Sequence, residues 1–192
     1  MPRQVRYNLA CSLDGFIAAP DGSYSWIVDD KTIDFEALYN EFEYFLMGRT
    51  TWETYLAMGP TEDPLGRYYR TGRVVVVSDT LSQSSDDVRV VKVGELEGVV
   101  RGLRATQGAE EGKDKDIWLM GGGKLAGLMM ELGLVDVVEA AVMPVILGEG
   151  VKMVDVVGEG RENGWRLELQ GVEKKETGIL MTRYKVVRLE EK

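Results

Sequence analysis

Apolar positions along this chain recur with two different periods, and the changes of period mark its elements. Val5 to Leu13 is rich in β-formers and alternates imperfectly, which predicts a first, buried strand. Phe35, Leu38, Tyr39 and Phe42 then repeat at three- and four-residue spacing, predicting a helix over Ile33 to Glu43 with Asp29 or Asp30 near its start. Tyr44 to Met47 reads as a short strand. Trp52, Tyr55 and Leu56 resume the helical spacing, and Thr50 followed three residues later by Glu53 has the spacing of a capping box. Two prolines and two glycines make Met58 to Tyr69 a loop. The run Val74-Val75-Val76-Val77 suits a strand buried on both faces, and Val88 to Val93 is a further strand.

Leu96, Val99, Val100 and Leu103 mark a helix, and a charged loop from Gly108 to Asp116 follows it. Ile117 to Met120 is a short strand that meets Gly121-Gly122-Gly123. Helical spacing resumes at Leu125, Leu128, Met129 and Leu132, with Gly133 where a C-cap is expected. Val135 to Val142 is a strand, interrupted at Pro144 and stopped by Gly148-Glu149-Gly150. Trp165 to Val172 and Ile179 to Leu189 are two strands joined through Glu173 to Gly178, long enough for an antiparallel hairpin. Strands alternating with helices and closed by an antiparallel pair predict one α/β domain over residues 1–192, a mixed sheet with helices on both faces.

Composition narrows the chemistry this frame can carry. The chain has 192 residues, a net charge of −9 and no run near the roughly 20 apolar residues of a membrane span. An acidic balance disfavours a general nucleic-acid binder, which needs clustered Lys and Arg, and with no signal-peptide pattern it predicts a cytoplasmic protein. Cys11 is the single cysteine, so no internal disulfide or cysteine metal cluster can form, and it reads as a small core residue. The chain has no histidine, which excludes Ser-His-Asp and Cys-His catalysis and the commonest catalytic zinc sites. No metal site is expected, and proton transfer falls to carboxylates, Lys, Tyr or water.

Three strand ends carry chemistry suited to an anion: Gly48-Arg49-Thr50-Thr51, Ser78-Asp79-Thr80 and Gly121-Gly122-Gly123-Lys124. Glycines at a helix start let backbone N–H groups approach a phosphate, and an Arg beside such a start binds anions. Each feature also has a plain reading: a flexible turn for the glycines, a solvated charge and simple cap for Arg49 and Thr50, local hydrogen bonding for Asp14, a loop anchor for Trp26. Three such ends in one sheet suggest a dinucleotide. Neither a Walker Lys-Ser/Thr pair nor a G-x-G-x-x-G fingerprint is present to name it.

Taken together, Ser12-Leu13-Asp14-Gly15-Phe16-Ile17-Ala18, Met47-Gly48-Arg49-Thr50-Thr51-Trp52-Glu53, Met120 to Leu125, and Gly133-Leu134-Val135-Asp136 with Pro144-Val145-Ile146-Leu147-Gly148-Glu149-Gly150 resemble, in order, the motifs of a superfamily. It comprises dihydrofolate reductase and the reductase domain of bacterial bifunctional riboflavin deaminase-reductases, and the chain looks most like its stand-alone branch. The resemblance implies a three-layer α/β/α fold with a mostly parallel central sheet of eight or more strands and an antiparallel C-terminal edge. It also implies NADPH as cofactor, a small-molecule substrate and a homodimer.

On the same ground Arg49 and Ser78 match positions at the adenosine 2′-phosphate, Gly48, Thr50 and Thr51 the phosphate segment, and Gly121, Gly122, Gly123, Lys124 and Leu125 the pyrophosphate turn. Ala10 and Ile17 match the nicotinamide side. Asp79 departs from the hydroxyl or basic residue often found beside Ser78 and would repel a 2′-phosphate if it pointed inward. Asn8 and Phe16 stand where riboflavin-pathway reductases carry lysines. The activity implied is hydride transfer to a C=N or C=O bond of a pteridine-, pyrimidine- or flavin-related substrate, similar to 5-amino-6-(5-phosphoribosylamino)uracil reductase or dihydrofolate reductase. Asp14 comes first as the group that polarises or protonates the substrate and Asp34 second, with Ser12 and Trp26 beside the substrate. The alternative is an NADP(H)-binding sensor or scaffold with weak catalysis.

Overall fold

The computed structural model describes residues 3–59, 65–69, 71–82, 88–106, 115–156 and 164–187. In chain order its elements are β1 (Val5–Cys11), β2 (Phe16–Ala18), α1 (Phe35–Asn40), β3 (Phe42–Gly48), α2 (Arg49–Ala57), α3 (Leu65–Tyr69), β4 (Val74–Val77) and β5 (Arg89–Val91). There follow a single 3-10 turn at Val93–Glu95, α4 (Leu96–Ala105), β6 (Asp116–Gly121), α5 (Gly123–Glu131), β7 (Val137–Val142), β8 (Val151–Lys152), β9 (Arg166–Lys174) and β10 (Leu180–Val187). The chain divides into two compact units, Met1–Val5 with Thr32–Gly121 and Arg6–Lys31 with Gly122–Lys192.

In the first unit four strands lie in the order β5-β4-β3-β6, every pair parallel. The valine run of β4 is buried at each position, as a strand with both faces covered must be. On one face Val74 and Val76 join Phe42, Phe45, Met47 and Trp118 beneath Tyr39 of α1 and Trp52 of α2. On the other, Val75 and Val91 share a cavity wall with Val99 and Leu103 of α4. Aromatic rings set the first of these layers, Trp118 lying 4.8 Å from both Tyr39 and Phe42.

The second unit carries β1-β7-β10-β9, in which only the β1–β7 pair is parallel, and a two-stranded ribbon of β2 with β8. Helix α5 buries Leu125, Ala126, Met129 and Met130. Its two glycine positions meet the backbone that follows β8: a Cβ on Gly123 would lie 2.0 Å from the Lys152 carbonyl oxygen, and one on Gly127 2.3 Å from that of Asp155. The fold is therefore α/β with a mixed, mostly parallel set of strands and an antiparallel C-terminal pair, as expected.

Several boundaries differ from the sequence reading. The first helix ends at Asn40 because Phe42, which fits the helical spacing, instead opens β3 and pairs with Asp116 of β6. Asp34 caps that helix, accepting the Ala37 N–H at 2.9 Å, in place of Asp29 or Asp30. Helix α2 is headed by Gly48, so Thr50 lies inside it and makes no capping box; Glu53 instead pairs with Arg49 one turn back, at 3.3 Å. Leu65–Tyr69 is helical where a loop was expected, driven by burial of Leu65 and Tyr68 in the aromatic layer. The β5 strand stops at Val91, since Val93 enters the 3-10 turn. Leu56 and Leu132, assigned to apolar helix faces, are exposed. Residues 108–114 of the charged loop and 188–189 of the last strand lie outside the described residues.

Candidate functional site

The three anion-suited segments of the sequence emerge from neighbouring strands of the first unit. Register places Gly48 opposite Val77 and Met47 opposite Gly121, so β4, β3 and β6 end in one row, and Ser78, Arg49 and Gly121 stand at their carboxyl ends. Ligands of open α/β sheets collect at such ends. At the first junction Gly48 heads α2 with no side chain capping it, which leaves the helix start open to an anion. The Arg49 guanidinium donates to Thr80 Oγ1 at 2.9 Å, and Thr80 Oγ1 lies 3.4 Å from Ser78 Oγ, so cation and hydroxyls form one chain. Asp79 does not oppose them. Its carboxylate accepts the Val93 N–H at 3.1 Å and its carbonyl the Lys92 ammonium at 2.8 Å, which commits it to the start of the 3-10 turn.

The three glycines that join β6 to α5 have separate tasks. Gly121 has a φ of +119°, a backbone conformation reserved for glycine. Gly123 provides the close approach of α5 to Lys152. Gly122 heads α5 in extended conformation, again with no side-chain cap, while Lys124 is exposed and Leu125 buried. Gly48 and Gly122 thus present similar uncapped helix starts. Each start, taken within its own unit, fits a phosphate group, and in the first unit the Arg49 cation stands directly beside it.

In the second unit Asp14 is the centre of a latch. Ser12 Oγ donates to Asp14 Oδ1 at 2.6 Å, and the N–H groups of Leu147 and Gly148 donate to its two oxygens at 3.2 and 2.7 Å. The Ser12 hydroxyl also accepts the Phe16 N–H at 2.9 Å, and Leu13 N–H meets the Val145 carbonyl at 2.8 Å. The first and last sequence motifs are therefore tied through one carboxylate. The Ser12 hydroxyl is the main cause holding the Asp14 carboxyl below its ordinary range, with Gly148 and Leu147 adding to it against a smaller desolvation effect. A group held ionised in this way is a poor proton donor near neutrality, so the geometry makes Asp14 an organiser of the loop.

A depressed folded pKa stabilises above the unfolded value and loses that contribution as pH falls through the folded one. Asp14→Asn is thus expected to melt below the parent protein at pH 7, with the gap closing below about pH 4. Melting midpoints measured from pH 7 to 3 check this, and a constant gap contradicts it.

With both geometries described, comparison with known proteins becomes decisive. The model of the RibD C-terminal domain matches residues 3–181. The chain belongs to the RibD C-terminal domain family. It is 31% identical to the uncharacterized protein YyaP of Bacillus subtilis over 77% of this chain and 78% of that one, and 27% identical to YwjB of the same organism over 80% and 83%. Among solved structures it resembles a Shewanella sp. PV-4 protein provisionally assigned to riboflavin biosynthesis, with a TM-score of 0.72, 25% identity and coverage of 98% and 100%. A deaminase/5-amino-6-(5-phosphoribosylamino)uracil reductase of Thermotoga maritima shares the fold at a TM-score of 0.69 and 17% identity, the match covering 97% of this chain and 57% of that one. The RibD C-terminal domain fold is therefore a reductase-like one.

The remaining residues singled out in the sequence lie in both units. Ala10 in β1 and Ile17 in β2 are half-buried. Trp26 is half-buried too, with a shielded indole N–H that meets no acceptor among the described residues. Asp34 serves as the α1 cap and belongs to the first unit, whereas Asp14 belongs to the second. Asn8 donates to Glu139 Oε2 at 3.0 Å as part of a cluster that sequence reasoning missed. Arg6 clasps Glu139 with two bonds of 2.9 Å, and Arg183 reaches the same carboxylate from β10. Only an alternation of charge within otherwise apolar strands signalled it.

Proposed function

We propose that this protein is an NADPH-dependent reductase acting on a C=N or C=O bond of a small pteridine-, pyrimidine- or flavin-related substrate. The row of three parallel strand ends, with Arg49, Thr80 and Ser78 bonded together and the Asp79 carboxylate engaged elsewhere, carries the reading. It supports recognition of a 2′-phosphate, and hence NADPH over NADH. When bound, NADPH supplies the hydride; the chain's own residues bind and orient. In the first unit Arg49 and the hydroxyls of Ser78 and Thr80 hold the adenosine phosphate, with the uncapped N–H groups after Gly48 beside them; in the second the uncapped N–H groups after Gly122 meet a phosphate, and the Asp14 latch fixes the Ser12–Ala18 segment. The fold shared with a uracil-type reductase and with a pyrimidine reductase-like protein of Corynebacterium diphtheriae favours the pyrimidine class. Asn8, bonded to Glu139, and Phe16 offer no cation for a phosphorylated substrate.

Calorimetric titration with both cofactors tests the binding half of this reading, and NADPH oxidation across pterin and pyrimidine candidates tests the chemistry. Arg49→Ala is expected to weaken NADPH about tenfold or more while leaving NADH nearly unchanged, since a charged hydrogen bond is lost only from the former. Equal losses for both cofactors would contradict the 2′-phosphate assignment. The commitment of Asp14 and Asp34 to structural hydrogen bonds favours a second reading, an NADP(H)-binding sensor with weak catalysis. Tight NADPH binding with no oxidation across the panel would select it.

A further inference from the structure

In the first unit, helix α4 leaves a hollow against the face of the strands that carries Val75. Cross-strand partners share a face, so Arg89, opposite Val75, and Val91, opposite Val77, both belong to it. Tyr44 of β3 joins them, because its neighbour Phe45 pairs with Val74 on the other face. The cavity between helix and strands measures about 910 Å³, room for a small organic molecule. Leu96, Val100 and Leu103 press α4 onto the core, but the flank that looks into the cavity carries Gly98 and Gly102, one turn apart. A Cβ at either glycine would meet nothing within 4 Å. The space exists because two side chains are missing from that flank.

The middle of the cavity is apolar, lined by Val75, Val91, Val99 and Leu103. Its margins are cationic and hydroxylic. Arg89, on the edge strand, is exposed and makes no ion pair among the described residues. Two strands across, roughly 10 Å at the usual strand spacing, the lining reaches Tyr44. The Tyr44 and Thr106 hydroxyls lie 3.3 Å apart there. Against that pair sits Arg3, which is 2% exposed. Its guanidinium stands over the Tyr44 ring at 5.6 Å and donates through Nε to the Thr106 carbonyl at 3.2 Å, while its Nη2 meets no acceptor among the described residues. Glu95 is the acid in the lining, and its carboxylate already accepts the Lys92 N–H at 3.0 Å. The cavity therefore combines apolar walls with a positive field that no local acid cancels.

We propose that this cavity binds a small organic acid with a flat apolar body, its anionic group on Arg89 and a polar group at its far end on the Tyr44 and Thr106 hydroxyls. The valines and Leu103 bury the rings, and the two glycines let them lie against the helix backbone. The charged hydrogen bond to Arg89 fixes which end enters first. Arg49, Ser78 and Gly121 take no part in the lining, so the site is separate from the row of strand ends suited to a nucleotide.

A suitable probe is 8-anilinonaphthalene-1-sulfonate, which joins aromatic rings to one anionic group. Fluorescence titration of the whole chain is expected to show saturable binding that persists in excess NADPH. Gly102→Leu should weaken the probe about tenfold or more by filling the hollow, without lowering the melting midpoint, since leucine is the better helix former. Arg89→Gln should weaken the sulfonate about tenfold and leave N-phenyl-1-naphthylamine, the same rings without the charge, unchanged. Absence of saturable binding overturns the proposal, as does displacement of the probe by NADPH. So does sulfonate binding that either variant leaves unaltered, or an equal loss of the charged and the neutral probe in Arg89→Gln.

Discussion

Replacing Glu139 with alanine is expected to destabilise the protein by about 3–5 kcal/mol, because it removes the carboxylate that a buried guanidinium grips with two bonds. The Arg6 side chain is 7% exposed and its bidentate partner 12%, so neither can recover its hydration when the other is removed. Asn8 loses its bond to Glu139 in the same change. Arg183, whose side chain is 38% exposed, retains solvent, and Arg183→Ala should cost about 1 kcal/mol or less. Chemical denaturation of the two variants beside the parent checks the contrast. A loss below about 1 kcal/mol for Glu139→Ala would show that water reaches Arg6.

The second large effect separates two adjacent glycines. Gly122 has φ −85° and ψ −174°, extended geometry open to any residue. Gly122→Val should therefore fold, with a loss of about 1 kcal/mol from a poorer helix start. On the proposed function its branched side chain would block a phosphate from the backbone N–H groups of the α5 start, so NADPH affinity is expected to fall by about a hundredfold or more, a loss of about 3 kcal/mol. Gly123→Ala should show the reverse. Its methyl group would sit 2.0 Å from the Lys152 carbonyl oxygen, which forces α5 off the segment beneath it and costs about 1–3 kcal/mol or more. Melting curves with and without NADPH distinguish the two positions. A folded Gly122→Val protein that binds NADPH normally would remove the glycine turn from the site.

Local chemistry was legible in the sequence wherever a residue had one available use. The valines of β4 could only be a strand buried on both faces, and each of the three anion-suited segments was placed correctly at a strand end. Phe42 had two uses, as a helix-face residue and as the first residue of a strand, and the choice was made by Trp118 and β6, far along the chain. Asp14 illustrates the same limit at the site. Its Asp-Gly context announced a turn and Ser12 stands two residues away, but the N–H groups of Leu147 and Gly148 that join Ser12 in holding it ionised come from a distant segment. The Glu139 cluster draws its members from β1, β7 and β10, so no single window contained it.

The second unit is assembled from both ends of the numbering, residues 6–31 and 122–192. Its β1 strand pairs with β7, and the latch of Asp14 to Gly148 spans 134 positions. Contacts of such separation carry a large loop-closure cost and form late. During synthesis the first strand is made early and then waits without its partner β7 until the last third of the polypeptide is being added. Throughout that interval its apolar side chains are available to other nascent chains. The first unit, continuous from Thr32 to Gly121 apart from a short N-terminal segment, faces a much briefer delay. The order of assembly is thereby set by connectivity: the half that bears Arg49 and Ser78 forms ahead of the half that bears Asp14 and Glu139.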